Sequence, residues 1–107
     1  MRVELHPEAR AEFHAAAVWY EEQRPGLGGE FAAEVTTTLA RIAAASHSYA
    51  LWPGVEHAAV PIRRGLAQRF PYAIAFEVYP DEVRVLAVAH AKRRPLYWLG
   101  RSQPSTA

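Results

Sequence analysis

Large apolar side chains alternate with small or polar residues most regularly at residues 70–78, and this alternation predicts a β-strand. The alternating positions are Phe70, Tyr72, Ile74, Phe76 and Val78. A turn is predicted at residues 79–82, followed by a last strand that continues to residue 90. The pattern assigns one face of that strand to Val83, Val85, Ala87 and Ala89, and the other to Arg84, Leu86, Val88 and His90.

Apolar residues recur at helical spacing in two segments of the N-terminal half. The first stripe is Ala9, Phe13, Ala16, Ala17 and Tyr20, and the second is Leu27, Phe31, Val35, Leu39 and Ile42. Pro7 suits the first helical position, while Glu8 and Glu12 favour the positive end of the helix dipole. The break "QRPGLGG" at residues 23–29 is short, so an antiparallel helical hairpin is predicted, with the second helix at residues 27–45.

Two short alternating stretches complete the order of elements. Val3 and Leu5 indicate a first strand, and Val60 and Ile62 indicate another. The order β-α-α-β-β-β predicts an α+β fold in which the helical hairpin packs on a mostly antiparallel sheet. The last three strands are expected to form a meander, while the place of the first strand in the sheet stays open. We expect a short final helix at residues 95–99, one domain over residues 1–100 and a flexible tail at residues 101–107.

The charge is distributed unevenly along the chain. Of the 107 residues 50% are hydrophobic and 21% are charged, which is typical of one globular domain, and the formal net charge is +1. Residues 1–40 contain seven acids and three bases, whereas residues 41–107 contain nine bases and four acids. The basic half either favours an acidic partner, protein or nucleic acid, or is an ordinary solvated surface.

Several classes of site are not expected from this composition. The chain has no cysteine, so disulfides and thiolate zinc sites are excluded, and its five histidines show no metal-ligand spacing. We therefore expect neither a metal nor another cofactor. The N-terminus lacks the apolar run of a signal peptide, and no stretch approaches the roughly 18 apolar residues of a membrane span. These features predict a soluble cytoplasmic protein.

Three stretches together resemble one protein family. They are "HPEARAEFHAAAVWYEEQRPGLGGEF" at residues 6–31, "RFPYAIAFEV" at residues 69–78 and "VLAVAHAKRRPLYW" at residues 85–98. In this order they are similar to the ParE/RelE superfamily of type II toxin–antitoxin systems, and most of all to its ParE-like branch, the plasmid stabilisation proteins. The resemblance implies the predicted fold and a growth-inhibiting toxin, neutralised by a small antitoxin with an acidic, flexible C-terminal segment. Characterised ParE proteins inhibit DNA gyrase, whereas RelE proteins cleave messenger RNA in the ribosome.

RNA cleavage without a metal requires a general base, a general acid and cations that stabilise the phosphate. The candidates here are His90, Tyr97, Arg64 and Arg93. The resemblance to RelE places Tyr97 at the catalytic tyrosine but Ala91 where an arginine is expected, and the lysine-rich middle strand of RelE is missing. The alternative for His90 is a strand-end histidine that bonds the backbone or anchors the final helix. For Tyr97 and Trp98 the alternative is packing of the last turn onto the domain. No catalytic residue is therefore expected, and a binding inhibitor is favoured over a metal-independent endoribonuclease.

Basic residues cluster at the ends of three strands that the meander makes neighbours. The candidate partner-binding residues are Arg63, Arg64, Arg69, Lys92, Arg93 and Arg94, together with Trp98. Strand alternation directs Arg63 and Arg64 to opposite faces, so at most about half of these cations share one surface. They serve either an acidic partner such as the antitoxin, or the protection of sheet edges and solubility.

Three functions remain open from the sequence. The first is a ParE-like toxin that binds an intracellular target, DNA gyrase. The second is a RelE-like endonuclease that cleaves messenger RNA at the ribosome. The third is a degenerate, non-toxic module that still binds an antitoxin.

Overall fold

The computed structural model describes residues 1–102, in which two helices cover one face of a four-stranded sheet. The elements are β1 (Arg2–Leu5), α1 (Pro7–Gln23), α2 (Leu27–Ala44), a 3-10 turn (Ser46–Ser48), β2 (Ile62–Leu66), β3 (Tyr72–Val78), β4 (Glu82–His90) and a second 3-10 turn (Leu99–Arg101). The predicted α+β class and the order β-α-α-β-β-β are confirmed. The second helix ends within one residue of its predicted end, and β2 begins two residues after Val60.

The sheet has the strand order β1-β4-β3-β2. Strands β2, β3 and β4 form the predicted antiparallel meander, whereas β1 pairs parallel with β4, so the sheet is mixed. At the start of this parallel pair, the Glu82 carboxylate accepts hydrogen bonds from Arg2 at 2.6 Å and from Arg84 at 2.9 Å. These charged contacts tie the short β1 to the sheet edge next to β4.

The main core lies between the helical hairpin and the sheet. Its buried members are Ala9, Ala16, Phe31, Val35, Ile42, Phe70, Ile74, Phe76, Val83, Val85 and Val88. Both predicted helical stripes and the alternating face of β3 contribute to this cluster, because one side of each element is removed from water. The sequence pattern thus located the main core.

A β-bulge at Leu86 changes the predicted faces of β4. Ala75 lies opposite Ala87 and Phe76 lies opposite Val85, so Leu86 is one extra residue on β4. Beyond the bulge the alternation is reversed: Val88 joins the main core, while Ala87 and Ala89 turn to the opposite face. The predicted assignment of residues 87–89 was therefore wrong, because it assumed an unbroken alternation.

The α1–α2 connection is held by Glu21, whose carboxylate caps the start of α2. Its two oxygens accept hydrogen bonds from the backbone N–H groups of Gly26 at 2.9 Å and Gly28 at 3.0 Å. These donors belong to the first turn of α2, where no helical carbonyl is available. Gly26 has a φ of 90°, a left-handed conformation that glycine adopts without a steric cost. The predicted tight reversal is confirmed.

We expect Gly28→Ala to destabilise the hairpin. A methyl group at Gly28 would lie 2.5 Å from the carbonyl oxygen of Ala17, and neither backbone can yield easily. The expected loss in the free energy of unfolding is about 1–3 kcal/mol, measured by urea denaturation. Gly29→Ala is the matched control, since its methyl would meet nothing within 4 Å, and it should raise stability by about 0.5–1 kcal/mol. Equal effects of the two substitutions would contradict this account.

The C-terminal segment, residues 91–102, differs from the prediction. The expected helix at residues 95–99 is replaced by turns and by the 3-10 turn that begins at Leu99. Leu96 has a φ of 61°, which a right-handed helix cannot contain. The predicted tail began at residue 101, but Arg101 and Ser102 are hydrogen-bonded to the domain. The rest of that tail, residues 103–107, lies outside the described residues.

Candidate functional site

The sheet face opposite the helices has a small core of its own. Its buried members are Val55, Ile62, Ala75, Leu86, Ala87, Ala89 and Trp98. The Trp98 side chain is 1% exposed and meets the Trp52 ring edge to face, with 4.9 Å between ring centroids. Trp98 therefore anchors the C-terminal segment across this face from inside. The prediction of Trp98 as a partner contact does not fit this position, whereas its alternative, packing of the last turn, does.

Glu12 of α1 forms a hydrogen bond with the backbone edge of β4 beyond the end of β1. The strand β1 ends at Leu5, so β4 has no strand neighbour on that side after Val85. The Glu12 carboxylate accepts a hydrogen bond from the Val88 backbone N–H at 3.0 Å. Arg101 donates a hydrogen bond to the Leu86 carbonyl at 3.1 Å, so a backbone acceptor of this edge is paired as well. The edge of β4 that the end of β1 leaves unpaired is thus capped by side chains.

The same carboxylate holds the C-terminal segment. Its second oxygen accepts hydrogen bonds from the Tyr97 hydroxyl at 2.5 Å and from the Arg101 guanidinium at 3.0 Å. We call Glu12, Tyr97 and Arg101 the clasp. The side chains of Glu12 and Arg101 are only 15% and 16% exposed, so their charge-assisted bonds are screened little by solvent.

Tyr97 is further fixed by two cations on its ring. The Arg93 guanidinium lies 4.0 Å and that of Arg101 lies 5.2 Å from the ring centroid. Burial, followed by the hydrogen bond to Glu12, raises the pKa of Tyr97 above its ordinary value. The phenol is therefore protonated at neutral pH, and its O–H group donates a hydrogen bond to Glu12.

His90 ends β4 beside the clasp. Its Nδ1 accepts a hydrogen bond from the Lys92 backbone N–H at 3.0 Å, and its ring meets Tyr72 edge to face at 5.0 Å. Since Nδ1 is an acceptor, a neutral His90 carries its proton on Nε2. The structure thus shows the strand-end, backbone-bonded histidine given as the alternative to a base.

A recess of about 320 Å³ opens on the same sheet face above Trp98, and we call it the basic recess. It is lined by Trp52, Arg64, Leu66, Ala73, Ala89, His90, Ala91, Arg93, Arg94, Pro95, Leu96, Tyr97 and Trp98. No acid lines it. Within residues 1–102 the guanidinium groups of Arg64, Arg93 and Arg94 form no salt bridge. The recess therefore presents uncompensated positive charge around an apolar floor.

The structure brings only part of the predicted basic cluster together. Arg64, Arg93 and Arg94 line the basic recess, with exposed Lys92 next to them in the chain. Arg63 lies on the helix side of the sheet, where its guanidinium donates to the Tyr49 carbonyl at 2.6 Å. The predicted opposite orientation of Arg63 and Arg64 agrees with this arrangement.

Arg69 belongs to a different contact. It donates to Glu30 of α2 at 2.8 Å, and Arg24 donates to the other oxygen of the same carboxylate at 3.2 Å. These two hydrogen bonds hold the pKa of Glu30 below its ordinary value. Arg69 thus joins the loop before β3 to α2 and does not line the basic recess, contrary to the predicted cluster.

Sequence reasoning missed Glu12 and Arg101. Glu12 was assigned to the helix dipole, and Arg101 to the flexible tail. Their hydrogen bonds join residues separated by up to 89 positions, and no local pattern signals such a contact. The four nuclease candidates, in contrast, do line one recess, although the Tyr97 hydroxyl and Nδ1 of His90 are occupied by Glu12 and Lys92.

No helix within residues 1–102 is long and apolar enough to cross a membrane. Among the same residues no three His, Cys, Asp or Glu side chains are grouped as metal ligands would be.

The chain was compared with known proteins by sequence and by fold. The family model described as "ParE toxin of type II toxin-antitoxin system, parDE" matches residues 3–95. The chain belongs to this ParE toxin family.

One solved structure with the same fold is described as the chromosomal ParDE TA system from P. aeruginosa. The match has a TM-score of 0.72 and covers 86% of this chain and 97% of that one. At 16% sequence identity this similarity shows the shared fold alone. None of the curated proteins matches the chain significantly.

Proposed function

We propose that this chain is a cytoplasmic toxin that inhibits growth by binding DNA gyrase and is neutralised by a cognate antitoxin. Membership of the ParE family supports the toxin role and the antitoxin, and the gyrase target follows from the activity of characterised ParE proteins. The basic recess supports the antitoxin site, since an acidic segment is attracted by its unpaired arginines.

The observation that carries the choice of a binding inhibitor is the state of the two proton-transfer candidates. The Tyr97 hydroxyl donates to Glu12, and Nδ1 of His90 accepts from Lys92. The remaining candidates are arginines, and a guanidinium group does not readily act as a base in a protein. RNA cleavage needs a base that is free to activate the 2′-hydroxyl, so the engagement of both groups within the chain favours binding over cleavage.

An endoribonuclease is the second candidate, favoured by one observation. His90, Tyr97, Arg64 and Arg93 line the same recess, at a size that admits part of a nucleotide. This function requires both occupied groups to be released when RNA binds. It predicts that His90→Ala and Tyr97→Phe abolish cleavage.

Induction of the chain in a bacterium that lacks the neighbouring antitoxin gene separates these functions. Growth arrest with a DNA-damage response and intact messages is the expected result, and purified chain should inhibit supercoiling by gyrase. Arg93→Gln should weaken neutralisation by a co-expressed antitoxin, while Arg10→Gln on exposed α1 is the matched control.

Other outcomes overturn specific parts of the proposal. Rapid message cleavage at ribosomes would favour the nuclease, and its loss in Tyr97→Phe would establish it. Growth arrest without either signature would exclude gyrase as the target. Normal growth with folded protein present would leave the non-toxic antitoxin-binding module.

A further inference from the structure

The sheet face opposite the helices is only half covered by other parts of the chain. Two pairs of alanines lie side by side on β3 and β4: Ala75 opposite Ala87, and Ala73 opposite Ala89. The first pair packs in the small core beneath Trp98. The second pair lies at the floor of the basic recess, where Ala89 is also part of that small core. Trp98 thus fills one half of this face, and the other half is open.

The walls of the open half are apolar. Trp52 and Leu96 border it, and the Leu66 side chain at its edge is 57% exposed. The volume of about 320 Å³ lies at the lower end of ligand pockets, which span about 300–1,000 Å³. It accommodates one or two side chains of a partner.

The rim restricts the chemistry of the occupant. Arg64 projects from β2, and Arg93 and Arg94 project from the C-terminal segment on the other side of the recess. None of the three is neutralised by an acid among residues 1–102. A segment that crosses the recess therefore gains from acids on both sides of the apolar floor.

We infer that the basic recess takes an extended acidic peptide segment that inserts one large apolar side chain between its acids. This inference rests on the proposed function, because it describes how the antitoxin segment is recognised. Ala73 and Ala89 determine specificity, since their small side chains make the space for the inserted group. The arginines provide long-range attraction, and the inserted side chain provides affinity through burial.

Binding of two synthetic peptides to the full chain tests the inference by fluorescence anisotropy. Both peptides are built from Asp, Ser and Gly, and they differ only at the central position, which is leucine in one and glycine in the other. Burial of a leucine contributes about 1.5–3 kcal/mol, so the leucine peptide should bind at least about tenfold more tightly. Ala73→Leu fills the floor of the recess, so the affinity for the leucine peptide should fall to that for the glycine peptide. Ala11→Leu, on exposed α1, is the control.

The outcomes distinguish this inference from the proposed function. If both acidic peptides bind equally and lose affinity only in Arg64→Gln, the inserted side chain is wrong and the acidic partner stands. If neither binds to folded protein, the acidic partner at this recess fails as well. Tighter binding of single-stranded RNA, or self-association that Ala73→Leu blocks, overturns the peptide as occupant. Should Ala73→Leu not fold, the comparison of the two peptides on the wild-type chain still decides.

Discussion

Trp98→Ala is expected to lower the free energy of unfolding by about 3–5 kcal/mol, as for other buried tryptophans. This is a large share of the roughly 5–15 kcal/mol that stabilises a domain of this size. The ring is 1% exposed, and its removal leaves Trp52 without its aromatic neighbour and a cavity in the small core. Urea denaturation followed by far-UV circular dichroism measures the loss.

Trp19→Ala is the matched control for this substitution. Trp19 is 55% exposed on α1 and contacts Tyr20 at its edge, so its removal should change stability by less than about 1.5 kcal/mol. A Trp98→Ala variant with unchanged stability but weakened antitoxin binding would support the surface role that the sequence predicted, and would contradict the buried anchor.

The elements that the sequence predicted are those with one face in the main core. The stripe of α2 and the alternation at residues 70–78 arise because the helix and β3 each bury one side against the other. Such periodicity is local, so the pattern is visible without knowledge of the fold. The boundaries of α2 and the meander followed from it.

The bulge at Leu86 left no comparable pattern. Residues 85–89 are apolar and buried on both faces of β4, so a shift of one residue exchanges one apolar side chain for another. The parallel pairing of β1 with β4 could not be predicted from the sequence either, because a strand of four residues can pair with any edge strand. These features depend on contacts between distant parts of the chain.

The candidate site could be predicted only as a set of cations. Alternation separated Arg63 from Arg64, but the carboxylate that engages Arg69 lies 39 residues away on α2. A sequence contains the charges and not their pairing, so occupied and available arginines look alike. The contacts of Glu12 could not be predicted from the sequence for the same reason.

Glu12→Ala should have the other large effect, because one carboxylate satisfies three donors. Its removal leaves the Val88 N–H, the Tyr97 hydroxyl and the Arg101 guanidinium without their acceptor. The expected loss in the free energy of unfolding is about 3 kcal/mol, the low end for breaking a buried ion pair. Hydrogen exchange resolved by residue should show faster exchange of the Val88 amide and of the C-terminal segment.

Glu22→Ala, an exposed acid on the same helix, controls for loss of charge and should leave both measurements unchanged. Tyr97→Phe removes only the hydroxyl and keeps the ring beneath Arg93, so it should lose about 1.5–3 kcal/mol, the contribution of one hydrogen bond to a charged group. Glu12→Ala should also weaken binding of the acidic leucine peptide, because the Tyr97 ring beneath Arg93 is no longer held by Glu12. This binding is measured at temperatures where the variant is fully folded. Unchanged exchange at Val88 would show that the edge of β4 does not depend on Glu12.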